Sequence, residues 1–324
     1  MEDILLSFVI TAYNVQDCIE KCILSCVQHQ IPKDKYELVI VDDGSTDDTV
    51  TIISHTVEKI KERQGNHKIK IVTQNNLGPG GARNSGLKQA VGKYVWWIDG
   101  DDIIIDNAAS LIIEKCLRLH LDVLCLNFQI QNIEGEIKQY NWVLHDVFEP
   151  HDGPYFLTQI DWVGAPWAYV FRRDYLLSSE LFFIPSIFHE DEEFIVRACY
   201  QSKRICFTNI IAYQYIKRDK SIMFQYTSKR ACDLLYVCNR LWNYMNSYVS
   251  KNERDTHIFF IKRITILLDQ LLMVITKGNL EDLPINASSV PFLPLPKNIW
   301  EDEHMNRKVD IINRKFLTEQ LKNN

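Results

Sequence analysis

Three apolar runs in the first hundred residues end alike, and that shared ending restricts the fold more than any other feature of the chain. Residues 5–11, 37–41 and 94–98 are each short and apolar enough for a strand covered on both faces. Each empties into polar residues: Asn14 after the first, Asp42 and Asp43 after the second, and Asp99, Asp101 and Asp102 after the third. Helical periodicity fills 17–29, 46–63, 80–90 and 107–120, and further strand patterns occupy 68–73 and 122–129. Strands separated by helices of this size imply βαβ units with right-handed crossovers. The predicted class is α/β, a Rossmann-like, mostly parallel sheet flanked by helices. Ligands of such sheets gather at the carboxyl ends of the strands, where these polar clusters lie.

Beyond about residue 130 the alternation weakens. A strand is expected at 137–145 and another at 167–171, a helix at 191–201, and a strand pair at 204–215. From 226 to about 278 the pattern is helical, as two helices. Pro284, Pro291, Pro294 and Pro296 then lead into a charged tail. The expected division is a domain over 1–222, with a ligand-binding half at 1–130 and a second half at 131–222, followed by a helical C-terminal region over 223–324.

Length and composition bound the function. A chain of 324 residues accommodates one large α/β domain with a smaller addition, and 46% hydrophobic with 24% charged residues is ordinary for a globular protein. A net charge of -6 gives no reason to expect a nucleic-acid partner. The start, MEDILLSFVITAYN, lacks a basic leader region and a small-residue cleavage site, so no signal peptide is expected. The late apolar stretch 258–275 is broken by Lys262, Arg263 and Asp269 and falls short of a spanning helix. Nine cysteines without a CxxC pair fit free thiols and a cytoplasmic location. Cys18, Cys22 and Cys26 recur every fourth residue and read as small buried hydrophobes on one helix face, since no His or further Cys is near enough in sequence to complete a soft-metal site.

Four constellations carry chemistry. Asp99, Gly100, Asp101 and Asp102 place three carboxylates within four residues of a strand end. Crowding like charges this way favours a bound cation, and oxygen-only ligands select a hard divalent ion, Mn2+ or Mg2+. The plainer reading is a solvated acidic turn capping a helix that begins near Asp106. Asp42, Asp43, Gly44, Ser45 and Thr46 form a strand-to-helix corner in which Ser45 or Thr46 is the expected N-cap. Its surplus of polar groups suits a base or ribose, and no dinucleotide fingerprint accompanies it. The stretch 75–84 (Asn76, Gly80, Arg83) sets glycines before a helix, where bare amides and a cation could meet phosphate, or form only a loop. Finally, His189, Glu190, Asp191, Glu192 and Glu193 precede a helical pattern; acids there favour the helix dipole, yet their number leaves room for a general base.

In order and spacing, these pieces resemble a bacterial family 2 glycosyltransferase of the kind that builds capsular and lipopolysaccharide-type polysaccharides. The matching strings are VITAYN, VDDGSTDDT, QNNLGPGGARNSGL, WWIDGDDII, Trp167 with Arg172, FHEDEEF and, more loosely, YQYIKRDKSI. The resemblance implies the GT-A fold, a nucleotide-diphosphate sugar donor (a UDP-sugar), a saccharide or lipid-linked saccharide acceptor, and inversion at the anomeric carbon. It implies that Thr11, Ala12 and Tyr13 line the base pocket beside Asn14, with Asp42 and Asp43 at the base. Asn76, Gly80 and Arg83 would approach the nucleotide or its diphosphate, Asp99 and Gly100 the ribose or sugar, and Asp101 with Asp102 the metal. Asp191 would be the catalytic base with Glu190 its neighbour, Trp167 and His189 would border the acceptor, and Arg218 and Ser221 would close over the diphosphate. Every motif carboxylate is present.

Competing readings differ in what they leave unexplained. A sugar nucleotidyltransferase would carry a basic glycine-rich loop after its first strand, where this chain has Ala12, Tyr13 and Asn14. A two-carboxylate glycosidase leaves the phosphate-oriented features idle. A non-catalytic nucleotide-sugar-binding subunit of a polysaccharide assembly complex differs from an enzyme only in donor turnover. In the C-terminal part, Tyr226, Lys229, Arg230, Trp242, Tyr244, Lys262 and Arg263 suit a peripheral membrane or homodimer contact, against the plainer reading of packing on the main sheet.

Overall fold

In the computed structural model, which describes residues 4–28, 30–65, 67–140, 149–218, 226–280, 290–296 and 303–322, the first four strands form a parallel block. Strands β1 (Leu6–Ala12), β2 (Tyr36–Asp42), β3 (Lys68–Thr73) and β4 (Tyr94–Asp99) lie in the order β3-β2-β1-β4. Helices α1 (Ile19–Ser25), α2 (Thr49–Gln64) and α3 (Gly78–Gln89) connect them. Strand β2 is buried throughout and β1 nearly so, as expected of strands covered on both faces, whereas β3, at the sheet edge, is half exposed. In register, Thr11 stands opposite both Val41 and Asp99, and Ala12 opposite Asp42, so the three polar strand ends share one line.

The sheet continues through β5 (Ile103–Ile104), helix α4 (Ala108–Arg118), β6 (Val123–Gln131) and β7 (Ile137–Tyr140). Helix α5 (Gly153–Leu157), β8 (Tyr169–Arg172), α6 (Arg173–Ser178), α7 (Glu190–Tyr200) and β9 (Ile205–Ile216) follow. Beyond β4 the order is β8-β6-β9-β5, with β7 hydrogen-bonded to β6. Strand β8 runs antiparallel between β4 and β6, while β9 runs parallel to β6. The mostly parallel, helix-flanked α/β sheet is therefore as the periodicity predicts.

The indoles of β4 fix it from both faces: Trp96 Nε1 donates to the Trp167 carbonyl at 2.8 Å and Trp97 Nε1 to the Arg83 carbonyl at 3.2 Å. Trp97 also meets the rings of Phe171, Phe183 and Phe194 at 5.1 to 5.5 Å. Buried aromatic clusters of this kind make the strand end a rigid platform.

Several local expectations need correction. Residues 204–215 form one strand, β9, whose pairing with β6 shifts register around Asn127, so a β-bulge stands where a turn between two strands was expected. Pro166–Ala168 is a 3-10 turn and the strand starts only at Tyr169, because Pro166 cannot donate to a ladder. The N-cap of α2 is Asp48, without a side-chain cap bond; Asp47 Oδ1 accepts from Thr49 N at 3.0 Å, while Ser45 and Thr46 bond Asn14 instead. Part of the expected 137–145 strand lies outside the described residues.

The chain divides into two compact units, Met1–Ser186 with Phe194–Asp219, and Ile187–Glu193 with Lys220–Asn324. In the second unit, α8 (Ser228–Tyr248) packs along α9 (Arg254–Gly278). Leu234, Val237, Cys238, Leu241 and Met245 bury one stripe of α8 at helical spacing. The charged tail is itself a helix, α10 (Glu303–Lys322), which buries Val309 and Ile312 while Asn313 exchanges two hydrogen bonds with the backbone of Leu295. Among the described residues no helix is long and apolar enough to cross a membrane.

Candidate functional site

The acidic loop at residues 99–102 is held by backbone and side chain together. Gly100 N donates to the Thr11 carbonyl at 2.9 Å and Asp102 N to the Asp99 carbonyl at 3.0 Å. A Cβ on Gly100 would stand 2.8 Å from that Thr11 oxygen, so only glycine allows the approach. Arg83 is buried and its Nη2 meets Asp99 Oδ1 at 2.9 Å, with Thr11 Oγ1 at 3.5 Å from the same oxygen. Arg218 Nη2 pairs with Asp101 Oδ2, and its Nη1 reaches Cys18 Sγ at 3.7 Å.

Asp102 differs from its neighbours. It is 1% exposed, its Oδ2 accepts from the Tyr213 hydroxyl at 2.8 Å, and its Oδ1 accepts from Ile216 N at 2.8 Å. Burial pushes its carboxyl well above the usual range, and the charges of Asp101 and Asp99 add to that push. Asp101 is raised too, by burial and then by Asp99, against the pull of Arg218. Arg83 thus pairs with Asp99 and Arg218 with Asp101, while Asp102 is held by the neutral donors of Tyr213 and Ile216.

The neighbouring corner sorts its two acids. Asp42 is spent on the turn, accepting from Gly44 N and Ser45 N at 3.3 Å. Asp43 takes both Gln74 Nε2 (2.7 Å) and Leu77 N (2.9 Å) on Oδ1. Asn14, in a left-handed conformation, accepts from Thr46 N at 2.8 Å, and its N donates to Ser45 Oγ, so it stitches two strand-end loops together. Asn76 Oδ1 accepts from Gly78 N at 3.2 Å at the start of α3, where Gly80 is buried. Ala12 is buried, and Tyr13 beside it is 48% exposed.

The structure brings Thr11, Arg83, Asp99, Gly100, Asp101, Asp102 and Arg218 into direct contact in the first unit. Trp167 belongs to an aromatic stack: its ring is 4.5 Å from Tyr213 and nearly parallel to it, with Tyr215 at 5.9 Å and Phe128 edge-on at 4.8 Å. His189, Glu190 and Asp191 belong to the second unit. There Glu192 pairs with Arg263 and Glu193 with Arg240, each at 2.9 Å, so these two acids serve structural ion pairs. Asp191 Oδ1 accepts from Glu192 N at 2.8 Å in the first turn of α7. His189 Nε2 accepts from Arg230 Nε at 3.2 Å. Ser221 lies outside the described residues. Sequence reasoning missed Tyr213; the loosely matched YQYIKRDKSI contains it, yet nothing in spacing ties a strand tyrosine to a loop more than a hundred residues earlier.

Among the described residues no three His, Cys, Asp or Glu side chains form a cation cage by themselves. The donor set nevertheless fits a hard divalent ion: it is all-oxygen, with Asp101 paired to a side chain that is 40% exposed. Such ions keep waters and take remaining ligands from substrate phosphates, so one or two carboxylates suffice.

With this geometry in place, comparison with known proteins decides the family. The model of the family described as Glycosyl transferase family 2 matches residues 7–176, a little over half of the chain. The chain belongs to glycosyl transferase family 2. An uncharacterized glycosyltransferase of Haemophilus influenzae is 33% identical over 132 residues, covering 40% of this chain and 50% of its own length. The poly(ribitol-phosphate) beta-N-acetylglucosaminyltransferase TarS of Staphylococcus aureus is 30% identical over 216 residues, 64% of this chain and 35% of TarS. The alignments thus span about half, or less, of these curated relatives. A crystal structure of S. aureus TarS 1-349 in complex with UDP-GlcNAc superposes with a TM-score of 0.63 at 18% identity, covering 98% of this chain and 93% of that one. The mannosyltransferase PcManGT from Pyrobaculum calidifontis, in complex with GDP-Man and Mn2+, gives 0.56 at 14% identity, covering 99% and 89%. These likenesses establish the GT-A fold for this family 2 member.

Proposed function

We propose that this family 2 member is an inverting glycosyltransferase that moves a sugar from a nucleoside-diphosphate donor, a UDP-sugar, to a hydroxyl of a saccharide or lipid-linked saccharide. The observation that carries this reading is the acidic loop at the carboxyl ends of the parallel strands, one backbone hydrogen bond away from the Asp43 corner through Ala12 (Asp43 N to the Ala12 carbonyl, 2.9 Å). The nucleotide complexes of the superposed neighbours agree with it. Residues 1–222 form the transferase domain in this reading, and 223–324 a helical addition suited to a peripheral contact at the inner membrane face or to a homodimer.

Asp43 Oδ2 accepts a hydrogen bond from the base, and the exposed ring of Tyr13 stacks on it. Arg83, pinned to Asp99, acts on the donor through that carboxylate. Arg218, half exposed, turns its guanidinium from Asp101 to the diphosphate, where it offsets charge growing on the leaving group. A bound Mn2+ or Mg2+, held by Asp101, would add Lewis-acid polarisation of the diphosphate oxygens. Asp191 removes the proton from the acceptor hydroxyl as that oxygen bonds to the anomeric carbon and the carbon–phosphate oxygen bond breaks on the opposite side. A single displacement inverts the centre.

The deciding experiment screens nucleotide sugars by thermal shift with and without Mn2+, then follows donor turnover with and without saccharide acceptors. Asp191→Asn is expected to lower transfer by at least about 100-fold while donor binding persists. Transfer near the wild-type rate in that variant would remove Asp191 from its role. A wild-type chain that binds nucleotide sugars but never turns them over, with any acceptor, would mark a binding subunit instead of an enzyme.

A further inference from the structure

One phenol oxygen ties both ends of the acidic loop. The Tyr213 hydroxyl donates to Asp102 Oδ2 at 2.8 Å and accepts from the backbone N of Asp99 at 3.1 Å. Tyr213 is itself immobilised: its side chain is fully buried, its ring lies parallel to Trp167 at 4.5 Å and its other neighbour is Trp96 at 6.5 Å. The second oxygen of Asp102 is bound to Ile216 N, two residues before Arg218, the residue that pairs with Asp101. Strand β9 and the two residues after it therefore meet the loop at three points, Tyr213, Ile216 and Arg218. With Gly100 N on Thr11 and Asp102 N on Asp99, the backbone of the loop is tied down, and the carboxylates left partly exposed are those of Asp99 (30%) and Asp101 (24%).

We propose that Tyr213 and Asp102 form a buried positioning pair that presets the acidic loop, so that Asp102 serves the donor and its cation from behind instead of binding the cation itself. A carboxylate with both oxygens occupied by protein donors and 1% exposure is placed to orient, and the ring stack with Trp167 gives that orientation a rigid anchor. Trp167 then acts through Tyr213 and backs the loop. The inference rests on the donor site proposed above.

The test uses the full chain, with Mn2+ titrated calorimetrically in the presence of UDP or GDP, whichever the wild type binds. Tyr213→Phe keeps the ring stack and removes only the hydroxyl. It is expected to weaken Mn2+ binding about 10- to 100-fold, the usual cost of losing an outer-shell partner, and to raise the Mn2+ concentration that half-saturates transfer, with melting temperature nearly unchanged. Asp102→Asn, which keeps an acceptor for Ile216 N, is expected to weaken Mn2+ binding to a similar extent, and the double variant no more than the worse single one, because the two act as a unit. If Tyr213→Phe does not fold, Asp102→Asn alone decides, by the same partial loss. Abolished binding in Asp102→Asn beside unchanged binding in Tyr213→Phe would make Asp102 a direct ligand and overturn the inference. Lowered melting temperature in Tyr213→Phe with intact Mn2+ affinity would reduce the pair to ordinary packing and overturn it equally. A wild type that binds neither nucleotide with Mn2+ removes the donor-site reading and this inference with it.

Discussion

The two ends of the parallel sheet treat buried acids differently. At the amino end, Glu37 receives Ser7 Oγ at 2.7 Å and Val91 N at 2.6 Å on one oxygen, with Lys70 Nζ at 3.0 Å on the other. Asp122, just before β6, receives Arg172 Nη2 at 2.5 Å and the backbone N of Lys203 and Arg204 at 2.9 and 3.1 Å. These acids are sealed by partners that belong to neighbouring strands and turns, so their charge is part of the architecture. At the carboxyl end, Asp99 and Asp101 are partly exposed, and Asp101 leans on a half-exposed arginine. The amino end seals its acids among protein donors, while the carboxyl end leaves two carboxylates partly exposed beside one another.

The sharpest way to break that contrast is Asp101→Ala. Burial and Asp99 already disfavour its ionised form, so deletion is expected to leave unfolding free energy within about 0.5 kcal/mol of wild type, and Arg218 returns to water at little cost. Divalent-metal dependence and transfer should disappear together. Metal binding unchanged by calorimetry would show that the carboxyl end is as self-contained as the amino end. The converse substitution, Asp122→Ala, leaves the backbone donors of Lys203 and Arg204 without their acceptor, while Arg172, 35% exposed, turns to water. A loss of about 3 kcal/mol is expected in urea unfolding, with transfer per folded molecule retained. Lost donor binding at full stability would erase the distinction between the ends.

That distinction also explains what was legible. Strands β1, β2 and β4 and the helices between them are legible because each apolar run is covered on both faces and each crossover is helical, and strand-end chemistry points to the acidic loop. Within the loop, three aspartates looked alike. Only long-range pairing separates Asp102, held by Tyr213 and Ile216, from Asp99 and Asp101, held by Arg83 and Arg218. In the 189–193 run, Glu192 and Glu193 meet arginines of α9 and α8, again partners that no local pattern announces. Strand β9 differs from its expected pair of strands for a related reason: the extra residues between Phe207 and Ile211 are absorbed as a bulge against β6, where Thr208 Oγ1 accepts from Ile210 N at 3.4 Å.

His189 extends the contrast to a base, with the smallest effect. Where buried acids at the amino end are held by several donors each, His189 faces the cation Arg230 and accepts a hydrogen bond from it on Nε2. Burial first, and Arg230 second, lower its pKa from 6.5 to about 4, against Glu192 and Asp233. The unfolded chain therefore takes up a proton near pH 6.5 that the folded chain refuses until about pH 4. Between those values the unfolded state binds more protons, so stability falls on acidification across that window, and above it the group contributes nothing to the pH slope. His189→Gln keeps an acceptor for Arg230 and cannot titrate. Urea midpoints measured at pH 7.5 and pH 5 should fall less in the variant than in the wild type. An identical drop in both would mean that Arg230 and His189 separate in solution, and that this contact, unlike those of Glu37 and Asp122, does not hold its members in place.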